Sequence, residues 1–149
     1  MLYTAEERAK RDATIWTLVQ GILAPIQFAV FLVSLVLVLR YLATGEGYAA
    51  ATVSILIKTA LLYTIMITGA IWEKVVFGRY LFAPAFYWED VVSMAVIALH
   101  TAYLVALWTG APASLQMALA LSAYAIYALN ATQFLLKLRT ARLEGGVRA

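Results

Sequence analysis

Four apolar runs, each long enough to cross a bilayer and each bounded by charged or turn-forming residues, constrain this chain more than any other feature. They lie at about 15–42, 48–72, 89–108 and 115–138, against the roughly 20 residues that an α-helix needs to traverse hydrocarbon. In lipid the backbone amides and carbonyls must be bonded within the protein, which leaves helices or closed barrels as spanning structures. The apolar residues form continuous runs and do not alternate with period two, which disfavours a barrel. With 64% of 149 residues hydrophobic and only 13% charged, the polar surface is too small for an ordinary water-soluble domain. The expected fold is all-α: one polytopic membrane domain over 1–149, with four transmembrane helices. The absence of cysteine removes disulfides and thiolate chemistry.

The first run exceeds the minimum crossing length, so that helix must tilt, bend or project, and Pro25, which removes a backbone donor, predicts a kink. Residues 44–47 form a tight turn, and GAPAS at 110–114 turns the chain again, with Pro112 near the next helix start. Between them the pattern changes. The segment EKVVFGRYLFAPAFYW at 73–88 holds two basic residues, a glycine, a proline and six aromatics. It reads as an aromatic interfacial connector between helices 2 and 3, either a short amphipathic helix or a re-entrant loop. After residue 138 a glycine pair at 145–146 predicts a loose tail. Glu6, Glu7, Arg8 and Lys10 at the amino terminus, followed by a run about twice as long as a signal's apolar core, predict that the first helix is retained.

The basic residues set the orientation. Arg8, Lys10, Arg11, Lys74, Arg79, Lys137, Arg139, Arg142 and Arg148 all fall on one side of the four runs, while the other side has only Arg40, at the end of the first run. Short loops rich in Lys and Arg stay cytoplasmic, which places both termini there. The same residues flank apolar segments and build no separate basic patch, so the net charge of +3 gives no reason to expect nucleic acid.

Several polar residues in these runs are candidates for chemistry. Glu73, Glu89 and Asp90 abut the connector, and folding it back would bring them to one pocket mouth. Carboxylates that close tend to hold one proton between them, which supplies a general acid beside a general base. The alternative is headgroup-level solvation, an ion pair with Lys74 or Arg79, and stabilisation of the helix start by Glu89 and Asp90. His100 lies eleven residues beyond Glu89, about 16 Å at helical rise and near mid-membrane. A neutral imidazole there can ligate a metal, the magnesium of a chlorin-type pigment among the targets, or can bond a neighbouring helix. Ser93 and Tyr103 extend a polar seam along its helix. Lys58 is expected to lift its ammonium to the noncytoplasmic surface, or else to pair with a substrate carboxylate or a buried acid.

Gln20, Gln27 and Ser34 recur every seven residues, as do Thr52, Thr59, Met66 and Glu73, with Tyr63 close by, and the fourth run adds Tyr124, Tyr127 and Asn130. These stripes belong on the bundle interior, bonding helix to helix or lining a pocket. Among the connector aromatics, Tyr80 and Trp88 suit either an interface belt or stacking on a flat ring system. No nucleotide, zinc or phosphate motif is present.

With these residues assembled, the chain resembles the family of vinyl bacteriochlorophyllide hydratases over nearly its whole length. The resemblance rests on RDATIWTLVQGILAPIQF at 11–28, VLRYLATGEGYAAAT at 38–52, ITGAIWEKVVFGRYLFAPAFYWEDVVSM at 67–94, ALHTAYL at 98–104 and NATQFLLKLR at 130–139. It implies addition of water to the 3-vinyl group of chlorophyllide a or 3-vinyl bacteriochlorophyllide a, giving a 3-(1-hydroxyethyl) product in bacteriochlorophyll a synthesis, at a bacterial inner, photosynthetic or intracytoplasmic membrane. No separate cofactor is implied, because the magnesium is carried by the substrate. On this reading Glu73, Glu89 and Asp90 are the catalytic candidates, and His100, Tyr80, Trp88, Tyr103 and Asn130 face the pigment, with His100 an axial ligand to its magnesium. Partners beyond pigment and lipid would be a second copy or other pigment-synthesis enzymes. The rival readings are a noncatalytic pigment-binding or assembly protein and a small-solute transporter.

Overall fold

The computed structural model describes residues 2–148, with side chains through residue 145, so the Arg148 side chain and the second glycine of the tail pair lie outside the described side chains. Five α-helices follow one another: α1 (Ala5–Ala13), α2 (Ile15–Thr44), α3 (Tyr48–Phe77), α4 (Tyr87–Trp108) and α5 (Ala113–Arg148), with a 3-10 turn at Pro84–Phe86 leading into α4. The last four are long and apolar enough to cross a membrane. Large apolar side chains such as Leu18, Val33, Val36, Leu129 and Leu135 are exposed, while Gln27, Ser34, Lys58, Thr59, Ser93, His100 and Asn130 are buried. That inversion of the water-soluble pattern is stable only with hydrocarbon outside, and the protein is a multi-pass membrane protein.

Local chemistry explains the boundaries. Thr4 and Glu7 form a reciprocal capping box, the Glu7 amide donating to the Thr4 hydroxyl (3.1 Å) and the Thr4 amide to the Glu7 carboxylate (2.9 Å). Glu6 and Glu7 in the first turn of α1, and Lys10 and Arg11 in the last, suit the helix dipole. Thr14 is extended, ending α1 and capping α2 through the Trp16 amide. Gly45 and Gly47 both take positive φ (73° and 84°), a conformation without penalty only for glycine, and so reverse the chain between α2 and α3. Helix α2 runs unbroken through Pro25.

Helix α2 packs along α3, and α4 along α5; the two hairpins meet over a core of Phe31, Ile55, Leu62, Val96, Tyr103, Met117, Tyr124 and Tyr127. Polar side chains join the helices inside it. The Ser34 hydroxyl lies 2.7 Å from that of Ser54 and 2.6 Å from that of Tyr124, tying α2, α3 and α5 at one level. Tyr63 bonds Thr101 across α3 and α4, Gln20 donates to Thr68 (2.6 Å), and the Trp72 indole donates to Thr17 (2.9 Å). The stripes read from the sequence thus face inward or into helix contacts, as polar groups in lipid must.

Both chain ends and the connector gather at one end of the bundle, here the terminal end; the 44–47 and 109–112 turns form the other. Three features differ from the sequence expectation. Helix α3 continues through Glu73 to Phe77, so the connector proper is residues 78–86, a short loop and one 3-10 turn. The amino-terminal segment carries its own helix, α1. The chain after residue 138 is not loose: α5 stays helical to Arg148, because its last turns are packed. The Leu2 amide donates to both Glu144 carboxylate oxygens (3.1 and 3.0 Å), and Ala141 is buried with Tyr3, Val76 and Phe86. Tyr3 is 2% exposed, stacks on Phe77 with ring centroids 5.7 Å apart, and has the Arg11 guanidinium 4.6 Å from its ring centroid.

Tyr3 is therefore the anchor of an amino-terminal strap. Tyr3→Ala removes a buried aromatic worth about 2–4 kcal/mol of local stability. The expected outcome is several-fold faster tryptic cleavage at Arg8, Lys10 and Arg11 in detergent, with the four long helices intact; an unchanged cleavage rate contradicts the anchor.

Candidate functional site

The last turn of α3 and the first turn of α4 carry the acidic residues into the terminal end of the bundle, where all three are buried: Glu73 is 4% exposed, Glu89 5% and Asp90 6%. Glu73 and Asp90 come together across the connector, close enough to interact. Two buried carboxyls that close favour holding one proton between them, since two negative charges at short range repel. Each carboxyl also holds the connector: Asp90 accepts the Phe82 amide (2.9 Å) and Glu73 the Ala83 amide (3.5 Å). Phe82 has φ of 63°, an unfavourable conformation for a bulky side chain, and the bond from its own amide to Asp90 holds it there.

Glu89 is not part of this pair. One residue along a helix turns a side chain by about 100°, and Glu89 faces α5, where its carboxylate lies 3.4 Å from the Lys137 ammonium. Lys137 also donates to the Ala85 carbonyl (2.7 Å). The partner is neither Lys74, in the last turn of α3, nor Arg79, in the connecting loop; both side chains are exposed. Asn130 clamps the same helix start: its amide nitrogen donates to the Glu89 carbonyl (3.0 Å), and its side-chain oxygen accepts the Ser93 hydroxyl (3.0 Å). Lys137 was not singled out from the sequence, since a basic residue after an apolar run reads first as a topology signal.

The connector aromatics divide. Phe77 and Phe86 turn in to join Tyr3, Trp72 and Phe134, whereas Tyr80 (61%) and Trp88 (68%) project outward. A cavity of about 350 Å³ between strap and connector is lined by Leu2, Glu7, Phe77, Pro84 and Ala85.

His100 and Tyr103 sit elsewhere, in the middle of the bundle. The His100 Nδ1 is 2.8 Å from the Val96 carbonyl, which can only accept, so Nδ1 carries the proton of a neutral ring and Nε2 presents a lone pair. That lone pair has no protein partner, nor do the Tyr103 hydroxyl and the Lys58 ammonium. Lys58 does not reach toward the surface as expected from its position; it is fully buried, with Nζ 3.6 Å from the centroid of the Tyr127 ring. The ring face, presented by α5 across the seam between the hairpins, attracts the cation. The structure thus brings Glu73 and Asp90 together, sets Glu89 and Asn130 beside them on the α5 side, and keeps His100 and Tyr103 about three to four helical turns away. Among the described residues no group of three or more His, Cys, Asp or Glu is arranged to hold a metal ion.

Comparison with known proteins covers almost all of this architecture. Residues 3–140 match the family described as 2-vinyl bacteriochlorophyllide hydratase. The chain is 77% identical over 143 residues to a protein of Cereibacter sphaeroides named 2-vinyl bacteriochlorophyllide hydratase, covering 96% of this chain and 89% of that one. It is 75% identical over 143 residues to the protein of the same name from Rhodobacter capsulatus, covering 96% of this chain and 84% of that one. No solved structure matches. The match takes in the paired carboxylates, the connector and the mid-bundle histidine alike, and the chain belongs to the 2-vinyl bacteriochlorophyllide hydratase family.

Proposed function

We propose that this protein hydrates the 3-vinyl group of chlorophyllide a or 3-vinyl bacteriochlorophyllide a, the position called 2-vinyl in older ring numbering, to give the 3-(1-hydroxyethyl) pigment. The feature that supports the chemistry is the Glu73–Asp90 pair, two buried carboxyls close together at the end of an apolar bundle, where one proton between them is favoured. The protonated member delivers its proton to the terminal vinyl carbon. The positive charge then rests on the carbon attached to the macrocycle, where conjugation spreads it. Water adds to that carbon, and the carboxylate left behind takes the surplus proton from the added water, restoring the pair. The vinyl double bond is lost, one C–H and one C–O bond form, and no electrons are transferred.

Position favours this division of labour. The pair lies where the spans end, so one water can reach it while the pigment keeps bulk water away and the ionic transition state gains from fixed dipoles. Glu89, paired with Lys137, stands next to the site and holds the start of α4; it is an acidic neighbour, with Glu73 and Asp90 doing the proton transfer. Tyr80 and Trp88 offer outward aromatic faces on which a macrocycle stacks as it leaves the lipid. Neutral His100, with its free Nε2, suits axial ligation of the pigment's magnesium at mid-bundle. Both termini and the carboxylate pair then face the cytoplasm of a bacterial inner or intracytoplasmic membrane, following the distribution of basic residues.

Purified protein incubated with the vinyl pigment should raise its mass by one water and shift its absorption as vinyl conjugation is lost; a bound but unaltered pigment supports a binding or assembly protein instead. Glu73→Gln and Asp90→Asn should each lower turnover by about 10²–10⁴-fold, with pigment binding retained. Glu89→Gln should cost less than either. Turnover at the wild-type rate in both members of the pair contradicts the assignment.

A further inference from the structure

Inside the bundle, polar groups on three of the long helices are left without partners. Gln27 Oε1 (α2), Thr52 Oγ1 and Lys58 Nζ (α3), and His100 Nε2 and Tyr103 Oη (α4) are buried and have no hydrogen-bond partner, and the Tyr127 ring (α5) lies under the lysine. Lys58, His100 and Tyr103 are 0–1% exposed. Ser34, Ser54 and Tyr124 satisfy one another completely; along their helices Gln27 and Lys58 lie toward the terminal end from that level, and Thr52 toward the turn end. Lys58 also lies on the seam between the two hairpins, its ammonium over the α5 ring of Tyr127.

The charge is as incomplete as the bonding. All buried acids, Glu73, Glu89 and Asp90, stand at the terminal end, and no salt bridge reaches Lys58 among the described residues. A buried ammonium facing only an aromatic ring lacks the counterion that a low-dielectric interior demands. A carboxylate supplies what is missing, one negative charge for Lys58, while His100 Nε2 remains free for a different role.

The geometry points to Lys58 as the anchor for the substrate's free carboxylate, which makes the protein selective for the acid form of the pigment over its esters. This rests on the pigment reading above and extends it. A chlorophyllide differs from the corresponding esterified chlorophyll in an unesterified propionate arm, carried on a different ring from the vinyl group. Lys58 precedes Glu73 by fifteen residues on α3, about 22 Å at helical rise, and the lysine stem, the propionate arm and the macrocycle share that span. Anchored there, the pigment lies in the seam with its magnesium on the His100 side and its vinyl end directed to the terminal end, toward the carboxylate pair.

The test uses the full-length protein in detergent, titrated with chlorophyllide and with its methyl ester, with binding read by absorption and fluorescence and hydration read separately by mass. Wild-type protein should bind the acid at least about 10-fold more tightly than the ester, the scale of a charge-assisted hydrogen bond. Lys58→Met should bind both at the ester's affinity, and Lys58→Arg should retain a preference for the acid. Equal affinities in the wild type overturn the anchor without need of any variant, as does an undiminished preference in Lys58→Met. Acid-selective binding without water addition would sink the hydratase reading alone; hydration of both pigments with no acid preference would sink the anchor alone.

Discussion

Every polar group on a helix in hydrocarbon must find its partner inside the protein, and that constraint shapes this structure from end to end. It turns the pattern of a soluble bundle inside out, with leucine and valine outward and serine, glutamine, asparagine, histidine and lysine inward. It also explains why the interior is organised in levels. Where hydroxyls from three helices meet, as at Ser34, Ser54 and Tyr124, the level closes on itself. Where the groups do not match, as at Lys58 and His100, the level stays unsatisfied and calls for a ligand.

At the terminal end the same requirement is met by acids. Glu73 and Asp90 are the acceptors that hold the connector backbone at Phe82 and Ala83. The connector's shape therefore depends on the same two carboxyl groups to which the proposed chemistry is assigned. The strap built on Tyr3 seals the outer side of this region by packing against Phe77 and Phe86 and by fastening the Leu2 amide to Glu144. The cavity beneath the strap is lined by residues other than the pair.

Two regions of different character thus lie along one seam. The terminal one is acidic and stands where the spans end. The central one is basic, with a cation on an aromatic face and an imidazole whose lone pair is free. On the proposed reading the pigment's vinyl group meets the first and its carboxylate arm the second.

How much of this was legible beforehand follows from the range of each interaction. Span lengths, turns and the inward stripes follow from local composition and helical period, and these placed Ser34, Thr59, Tyr124 and Asn130 correctly on the interior. The capping residues Thr4 and Glu7 also announce α1, a local signal that the long apolar run after it overshadows. Which acid meets which partner is different in kind. Glu89 and Asp90 are neighbours in sequence, yet one pairs with Lys137 and the other with Glu73, because helical rotation aims them at different helices. Lys58 had room to reach the surface; packing between the hairpins kept it inside. The sequence by itself determined four apolar helices, their polar faces and a cluster of acids at one end. Only the tertiary structure decided the pairing of those acids and the burial of the lysine, because such contacts join residues far apart in the chain and depend on how whole helices are rotated against one another.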